Sequence, residues 1–265
     1  MAHEEEIPYG TIIPDFDIHI PVNDETCRAQ ISANISRNLP EAVPKGLRRK
    51  LSIIANGPSA RDANLVNLSG KTLALNGGIK LFLDQGLSPN YWACCDPQPL
   101  VADFLPDNPP ADTTYLVASK CHSSIFDKLK GNDVRLWHLM DHPANGLERI
   151  ALASSVTLSA VWLMHRLGFT DFEFWGWDGC FLDGRHHAIG DADWSTKPVL
   201  HINYGGSEKD GEIVGGKNFA TTRTWAAEAQ GAEQFFALAN YLGIGVKING
   251  DGMFECLHRT VSKAA

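Results

Sequence analysis

From residue 51 onward, short apolar runs alternate with helical patterns, and that alternation is what most narrows the folds open to the chain. The strand-like runs are LSIIA (51–55), TLALN (72–76), YWACC (91–95), TTYLVA (113–118), VRLWHL (134–139), FEFWGW (172–177) and GVKING (245–250). Helical patterns fit between them, most clearly over 154–168 and 224–243. In the first of these, Val156, Ala160, Leu163, Met164 and Leu167 recur at three- and four-residue spacing, Ser154 can cap the start and Gly168 stops it. His165 shares a turn with those core positions and reads as a packed or surface histidine. Strands joined through helices need right-handed crossovers and a mostly parallel sheet covered on both faces. The expected fold is a Rossmann-like, three-layer α/β/α domain over residues 47–265. Residues 1–46, rich in proline and acids, read as an N-terminal arm or cap.

Composition narrows the function classes. The 265 residues carry a formal net charge of −8, which argues against a broad basic surface for nucleic acid. The densest basic run, Lys45, Arg48, Arg49 and Lys50, reads as a solvated face. The acidic start MAHEEEIPYG lacks the features of a signal peptide, and no apolar run is long enough to span a bilayer. The expectation is a cytoplasmic protein with no membrane partner. Six cysteines, at 27, 94, 95, 121, 180 and 256, form no CxxC pair and read as reduced thiols.

In an open parallel sheet, ligands bind beyond the carboxyl ends of the strands. The first run ends on Asn56-Gly57-Pro58-Ser59, the second on Asn76-Gly77-Gly78, the third on Asp96-Pro97 and the sixth on Gly176-Trp177-Asp178. Turn chemistry explains any one of these ends; all of them on one rim point to a ligand site. Glycine lets backbone approach a ligand closely, and Ser59 with neighbouring amides suits an anion at a helix start. The turn matches neither GxGxxG nor GxxxxGK[ST], so a standard dinucleotide or P-loop site is excluded.

IIANGPSARDAN followed by LALNGG resembles the nucleotide-binding start of bacterial sialyltransferases that use CMP-activated sugars. Residues 154–188 and the segment from Gly211 to Glu255 are similar to the Maf-type flagellin glycosyltransferases and the archaeal 6-hydroxymethylpterin diphosphokinase-like proteins. The resemblance covers roughly residues 50–256. It implies that Asn56, Gly57 and Ser59 surround a donor's phosphate and ribose, and that Asn76, Gly77 and Asp96 contact the nucleotide or transferred group. It further implies that Ser154 and Ser155 face the donor from a helix start, with Asp178 beneath the site. The sialyltransferases place a catalytic histidine in a Gly-His-Ser stretch. The equivalent here, VGGKNFATT (214–222), has none.

An imidazole base must then come from His187, His186 or His201, with His187 first because it aligns with the family's downstream histidine. Histidine suits the task near neutral pH. Residues 183–188, DGRHHA, are expected to form a mobile flap that closes over the rim. Asp178, Asp183, His186, His187, Asp191 and Asp193 crowd one short span but fit no fixed metal motif; Mg²⁺ arriving with a diphosphate donor is the form a metal would take. Trp177 and Trp194 flank the same loop as candidate stacking surfaces, while Trp175 reads as core. The expected function is transfer of a sugar from a CMP- or UDP-type donor to a hydroxyl acceptor, with a nucleic-acid hydroxyl among the acceptors left open. ATP-dependent diphosphate transfer to a hydroxymethyl heterocycle and a non-catalytic nucleotide-binding module are the alternatives.

Overall fold

The structure is a computed structural model that describes residues 4–6, 22–43, 46, 48–140, 148–150, 155–189, 199–209 and 212–264. In chain order its elements are β1 (Glu4–Glu6), α1 (Asp24–Ile35), β2 (Arg48–Ile54), β3 (Lys71–Leu75), α2 (Ile79–Leu83), β4 (Tyr91–Cys94), β5 (Thr114–Ala118) and α3 (Ser123–Lys128). They continue with β6 (Asp133–Leu139), β7 (Arg149–Ile150), α4 (Val156–Arg166), β8 (Phe169–Trp175), β9 (Val199–Lys209), β10 (Glu212–Thr221), α5 (Arg223–Leu242), β11 (Gly245–Ile248) and α6 (Met253–Ala264). Every one of the seven apolar runs becomes a strand of one sheet.

That sheet has eight strands in the order β11-β8-β2-β3-β4-β5-β6-β7, each pair parallel. With helices flanking it, this is the three-layer Rossmann-like arrangement the alternation predicts. The order has a consequence for function. From β2 the chain proceeds outward through β3 to β7, then returns so that β8 lies against the other side of β2. The strand order thus reverses at β2, and in such sheets a ligand crevice lies beyond the carboxyl ends of the strands at that point. The central strand explains its own sequence: Leu51, Ile53 and Ile54 are fully buried, and the inward Ser52 satisfies its hydroxyl on the Ser69 carbonyl at 3.0 Å.

α4 follows its apolar stripe, burying Ala160, Leu163 and Met164, and Gly168 ends it at φ 98°. Its cap is Ser155, whose side chain accepts from the Leu158 N–H; Ser154, the expected cap, lies outside the described residues. Within residues 1–46, α1 buries Cys27, Ile31 and Asn34. Asn34 Nδ2 donates to the carbonyls of Ser119 and Cys121 beyond β5 at 2.8 and 2.7 Å, which fastens α1 to the carboxyl edge of the sheet.

Strands β9 and β10 pair antiparallel, with β1 parallel to β9 on the other side. This second sheet was not among the sequence expectations. None of the six cysteines is in a disulfide. Among the described residues no helix is long and apolar enough to cross a membrane.

Candidate active site

A cavity of about 570 Å³ opens at the carboxyl edge of the sheet, within the range of small-ligand sites. Asn56, Gly57, Asn76, Gly77, Asp96 and Asp178 all line it. The strand ends that the sequence singled out are thus brought to one wall. Ser155, His187, Trp177 and Lys80 line it as well.

Ser59 sits elsewhere. It is buried behind the wall, where its N–H donates to Asp178 Oδ2 at 2.9 Å and its Oγ accepts from the Gly176 N–H at 3.1 Å. Its role is to tie the end of β2 to the end of β8, and the expectation that it grips an anion is replaced by one of positioning Asp178. Gly57 is needed for the same junction. A Cβ there would press on the Gly176 carbonyl oxygen and stand 2.5 Å from Asp178 Oδ2, so no side chain fits. Gly250, at φ 103°, would set a Cβ 2.7 Å from Ser59 Cβ. The end of β11 closes against Ser59 through that glycine.

Asp178 is 2% exposed. Burial pushes its carboxyl above the usual range, and the hydrogen bonds from Ser59 pull it back. Its Oδ1 has no hydrogen-bond partner among the described residues. Asn76 adopts a left-handed conformation at φ 45°, tolerable for Asn. Its carbonyl accepts from Trp92 Nε1 at 2.9 Å, while its side-chain Oδ1 is buried without a partner. An unmatched buried acceptor costs about 1–3 kcal/mol. Both oxygens are enclosed by protein, Asp178 Oδ1 on the side of Gly250, where a Cβ built on that glycine would stand 3.3 Å away. Asp96 is turned partly inward on itself: Oδ1 accepts from the Gln98 N–H at 2.9 Å and Oδ2 from Gln98 Nε2 at 3.1 Å.

The loop after β8 differs from expectation. His187 lines the cavity, but His186 is buried beneath it, stacked on Trp225 with centroids 4.0 Å apart and planes at 16°. His201 is on β9 and is not on the cavity wall. The carboxyl end of the segment expected to form a flap is held to the turn after β2. Asn56 carbonyl accepts from Ala188 N–H at 2.7 Å, its side chain exchanges bonds with both backbone groups of Ile189, and Arg61 Nε donates to the Ala188 carbonyl at 2.6 Å. The glycine that suggested mobility, Gly184, lies at the tip of a small hairpin closed by the Leu182–Arg185 bridge. Asn56 accordingly holds this loop in place as well as lining the cavity. Ser154, Asp191, Asp193 and Trp194 lie outside the described residues. Trp175 is half-buried, and Trp177 is the deep aromatic, packed on Phe174 and Phe254 at 4.8 and 5.0 Å.

The residue that sequence reading missed is Glu228 of α5. It lines the cavity, is 5% exposed, and its Oε1 accepts from Trp177 Nε1 at 2.8 Å. Burial pushes its carboxyl up to about 7, with hydrogen bonds from Ser155 and Trp177 opposing. A signal existed: Glu228 occupies the same stripe as Ala229, Ala232 and Phe236, the buried face of α5, where an unpaired acid is out of place. Among the described residues no group of three or more His, Cys, Asp or Glu side chains is arranged to hold a metal ion.

No protein-family model and no curated protein sequence matches the chain. Among solved structures it is similar to a MAf glycosyltransferase from Magnetospirillum magneticum AMB-1, with a TM-score of 0.57 and 12% identity over 91% of this chain. The match covers 42% of that protein's length, so this chain spans less than half of it, and at such identity the likeness is one of fold. A protein from Lactobacillus plantarum, 13% identical over 66% of this chain and 88% of its own, has a TM-score of 0.25, too low to carry an argument.

Proposed function

We propose that this chain transfers a sugar from a nucleotide-activated donor, of CMP or UDP type, to a hydroxyl acceptor in the cytoplasm. The observation that carries the reading is the set of side-chain acceptors, from Asn56, Asn76 and Asp96, that the strand ends bring to one cavity at the point where the strand order reverses. Such acceptors suit the exocyclic amine of a base and the hydroxyls of a ribose or sugar. The fold shared with a protein described as a glycosyltransferase supports it.

In this reading the rim formed by Asn56, Gly57, Asn76, Gly77 and Asp96 holds the donor. His187 takes the proton of the acceptor hydroxyl as that oxygen attacks the anomeric carbon. The bond from the anomeric carbon to the donor phosphate breaks, and its electron pair leaves with the phosphate. Asp178, fixed by Ser59, orients a donor hydroxyl. With a diphosphate donor, Mg²⁺ would be held largely by the donor's own oxygens, with Asp96 as a carboxylate on the cavity wall. Diphosphate transfer from ATP fits the wall less well, because Lys80 is the one lysine or arginine among the described lining residues.

The test is calorimetry with CMP- and UDP-linked sugars and with ATP, with and without Mg²⁺. A sugar nucleotide should bind, and Asn76→Ala should weaken it by about 0.5–1.5 kcal/mol, with a lowered melting temperature because alanine is strained at φ 45°. His187→Ala should lower turnover by roughly 10²–10⁴ with donor affinity retained. Binding of ATP alone with AMP release would replace this reading by diphosphate transfer. Binding without any turnover would make the chain a nucleotide-binding module.

A further inference from the structure

Glu228 is the cavity carboxyl that the reading above leaves without a task. α5 presents it across from the start of α4, where the Ser155 side chain and Trp177 Nε1 are its hydrogen-bond partners. Both are neutral. Among the described residues no lysine, arginine or histidine is paired with it, and Trp177, Trp225 and Phe254 contribute apolar wall nearby. An ionised Glu228 would therefore hold an uncompensated charge on a side chain that is 5% exposed, and a carboxyl so placed relieves the cost by keeping its proton. Burial accordingly pushes it up to about 7 against the pull of Ser155 and Trp177.

The remaining ionisable groups on the cavity wall are Lys80, Cys95, Asp96, Asp178 and His187. The elements packed on α5 bring His165 and Arg166 from α4, Lys247 from β11, and Glu255, Cys256, His258 and Arg259 from α6, and none of these is a cause of the Glu228 shift. The start of α4 offers partial positive charge to an anion, but an ionised Glu228 would occupy that field itself. A neutral Glu228 leaves it to the ligand and has an O–H to donate.

We propose that Glu228 couples anion binding in this cavity to proton uptake: the neutral carboxyl admits a phosphorylated ligand, and the ionised one repels it. The identity of that ligand as a sugar nucleotide rests on the function proposed above. An anion brought beside Glu228 raises its proton affinity further, so ligand and proton enter together.

The experiment is isothermal titration of the full chain with UDP-glucose and with a CMP-linked sugar between pH 6 and 8.5, in buffers of differing ionisation enthalpy. The phosphate charges of both probes are constant over this range. Affinity should fall by about tenfold per pH unit above neutrality, with proton uptake approaching one per ligand. In Glu228→Gln, affinity should be independent of pH, with no proton uptake. A flat parent profile, or a slope retained in Glu228→Gln, overturns the proposal and leaves the donor reading standing. Failure of both probes to bind at any pH overturns the two together. Should Glu228→Gln not fold, infrared difference spectra of the parent decide: a protonated carboxyl band should grow on ligand binding at pH 7.5, and its absence overturns the coupling.

Discussion

Two buried glutamates, one on the sheet and one on the cavity wall, meet burial in opposite ways. Glu173 of β8 is 7% exposed and Glu228 of α5 is 5% exposed. Burial by itself raises both. At Glu173 that rise is outweighed by hydrogen bonds from Lys247, Lys50 and Asn249, so the carboxyl is held below its ordinary value. Lys247 Nζ lies 2.7 Å from Oε1 and Lys50 Nζ 3.0 Å from Oε2. At Glu228 the partners are a serine hydroxyl and an indole N–H, and the carboxyl rises to about 7. Exposure is similar, but Glu228 lies deeper in the protein, so depth and the charge of the neighbours act together. A carboxylate clamped between lysines stitches β2, β8 and β11 together; one with neutral donors is left able to exchange a proton beside a cavity.

The sharpest way to break this contrast is to follow stability with pH. Glu228 has a folded value of about 7 against an ordinary 4.5. Its raised value means that the folded state binds the proton more tightly than the unfolded state. Stability is therefore full below about 4.5 and falls as pH rises toward 7, by about 3 kcal/mol in all. Glu228→Gln removes that loss: relative to the parent it should gain up to this amount at pH 8 and nothing at pH 4.5, read by urea denaturation. An identical pH profile in parent and variant would place Glu228 among ordinary surface-like carboxyls.

Glu173→Gln should behave in the opposite sense. It leaves two lysines without their acceptor, but their side chains are 36% and 62% exposed, so water offsets much of the loss and the cost at pH 7 is about 1–2 kcal/mol. Because the folded value of Glu173 is depressed, its contribution is present above the ordinary carboxylate range and disappears as pH falls through the lower folded value. Parent and variant should converge in acid. A gap that persists at pH 2 would mean that the glutamine is disfavoured for its shape instead.

The smallest effect is expected at Trp177→Phe, which deletes the N–H donated to Glu228 and keeps most of the ring packed on Phe174 and Phe254. Losing the bond should cost about 1 kcal/mol. It should also move the Glu228 titration to higher pH, since that bond favours the ionised form. The shift is measurable as a displaced pH dependence of stability. A displacement to lower pH would show that the indole acts on Glu228 through packing.

Seven core strands and the two long helices were legible in the sequence because each carries its own signal. A fully buried parallel strand reads as a continuous apolar run, and a helix with one buried face repeats every three or four residues. The clustering of Asn56, Asn76, Asp96 and Asp178 was legible as well, since parallel strands deliver all their carboxyl ends to one edge. The pairing of β9 with β10 left little trace, because the glycines and charges of residues 205–217 read as loop without a partner strand to pair with. The anchoring of Ala188 and Ile189 depends on Asn56 and Arg61, more than a hundred residues away in the chain, and His186 is stacked on Trp225 of α5.

Local pattern determines what can be read one element at a time: strand, helix, turn, and the residue types at each strand end. Which of those residues face a ligand and which hold the wall is a matter of long-range contact. Ser59 and Asn56 stand three residues apart in one turn, yet one is buried against Asp178 and the other lines the cavity. Glu228 was an acid on an apolar stripe until the fold set it against Ser155 and Trp177. A proton affinity is the sum of desolvation and nearby charge, and both are supplied by residues from other parts of the chain.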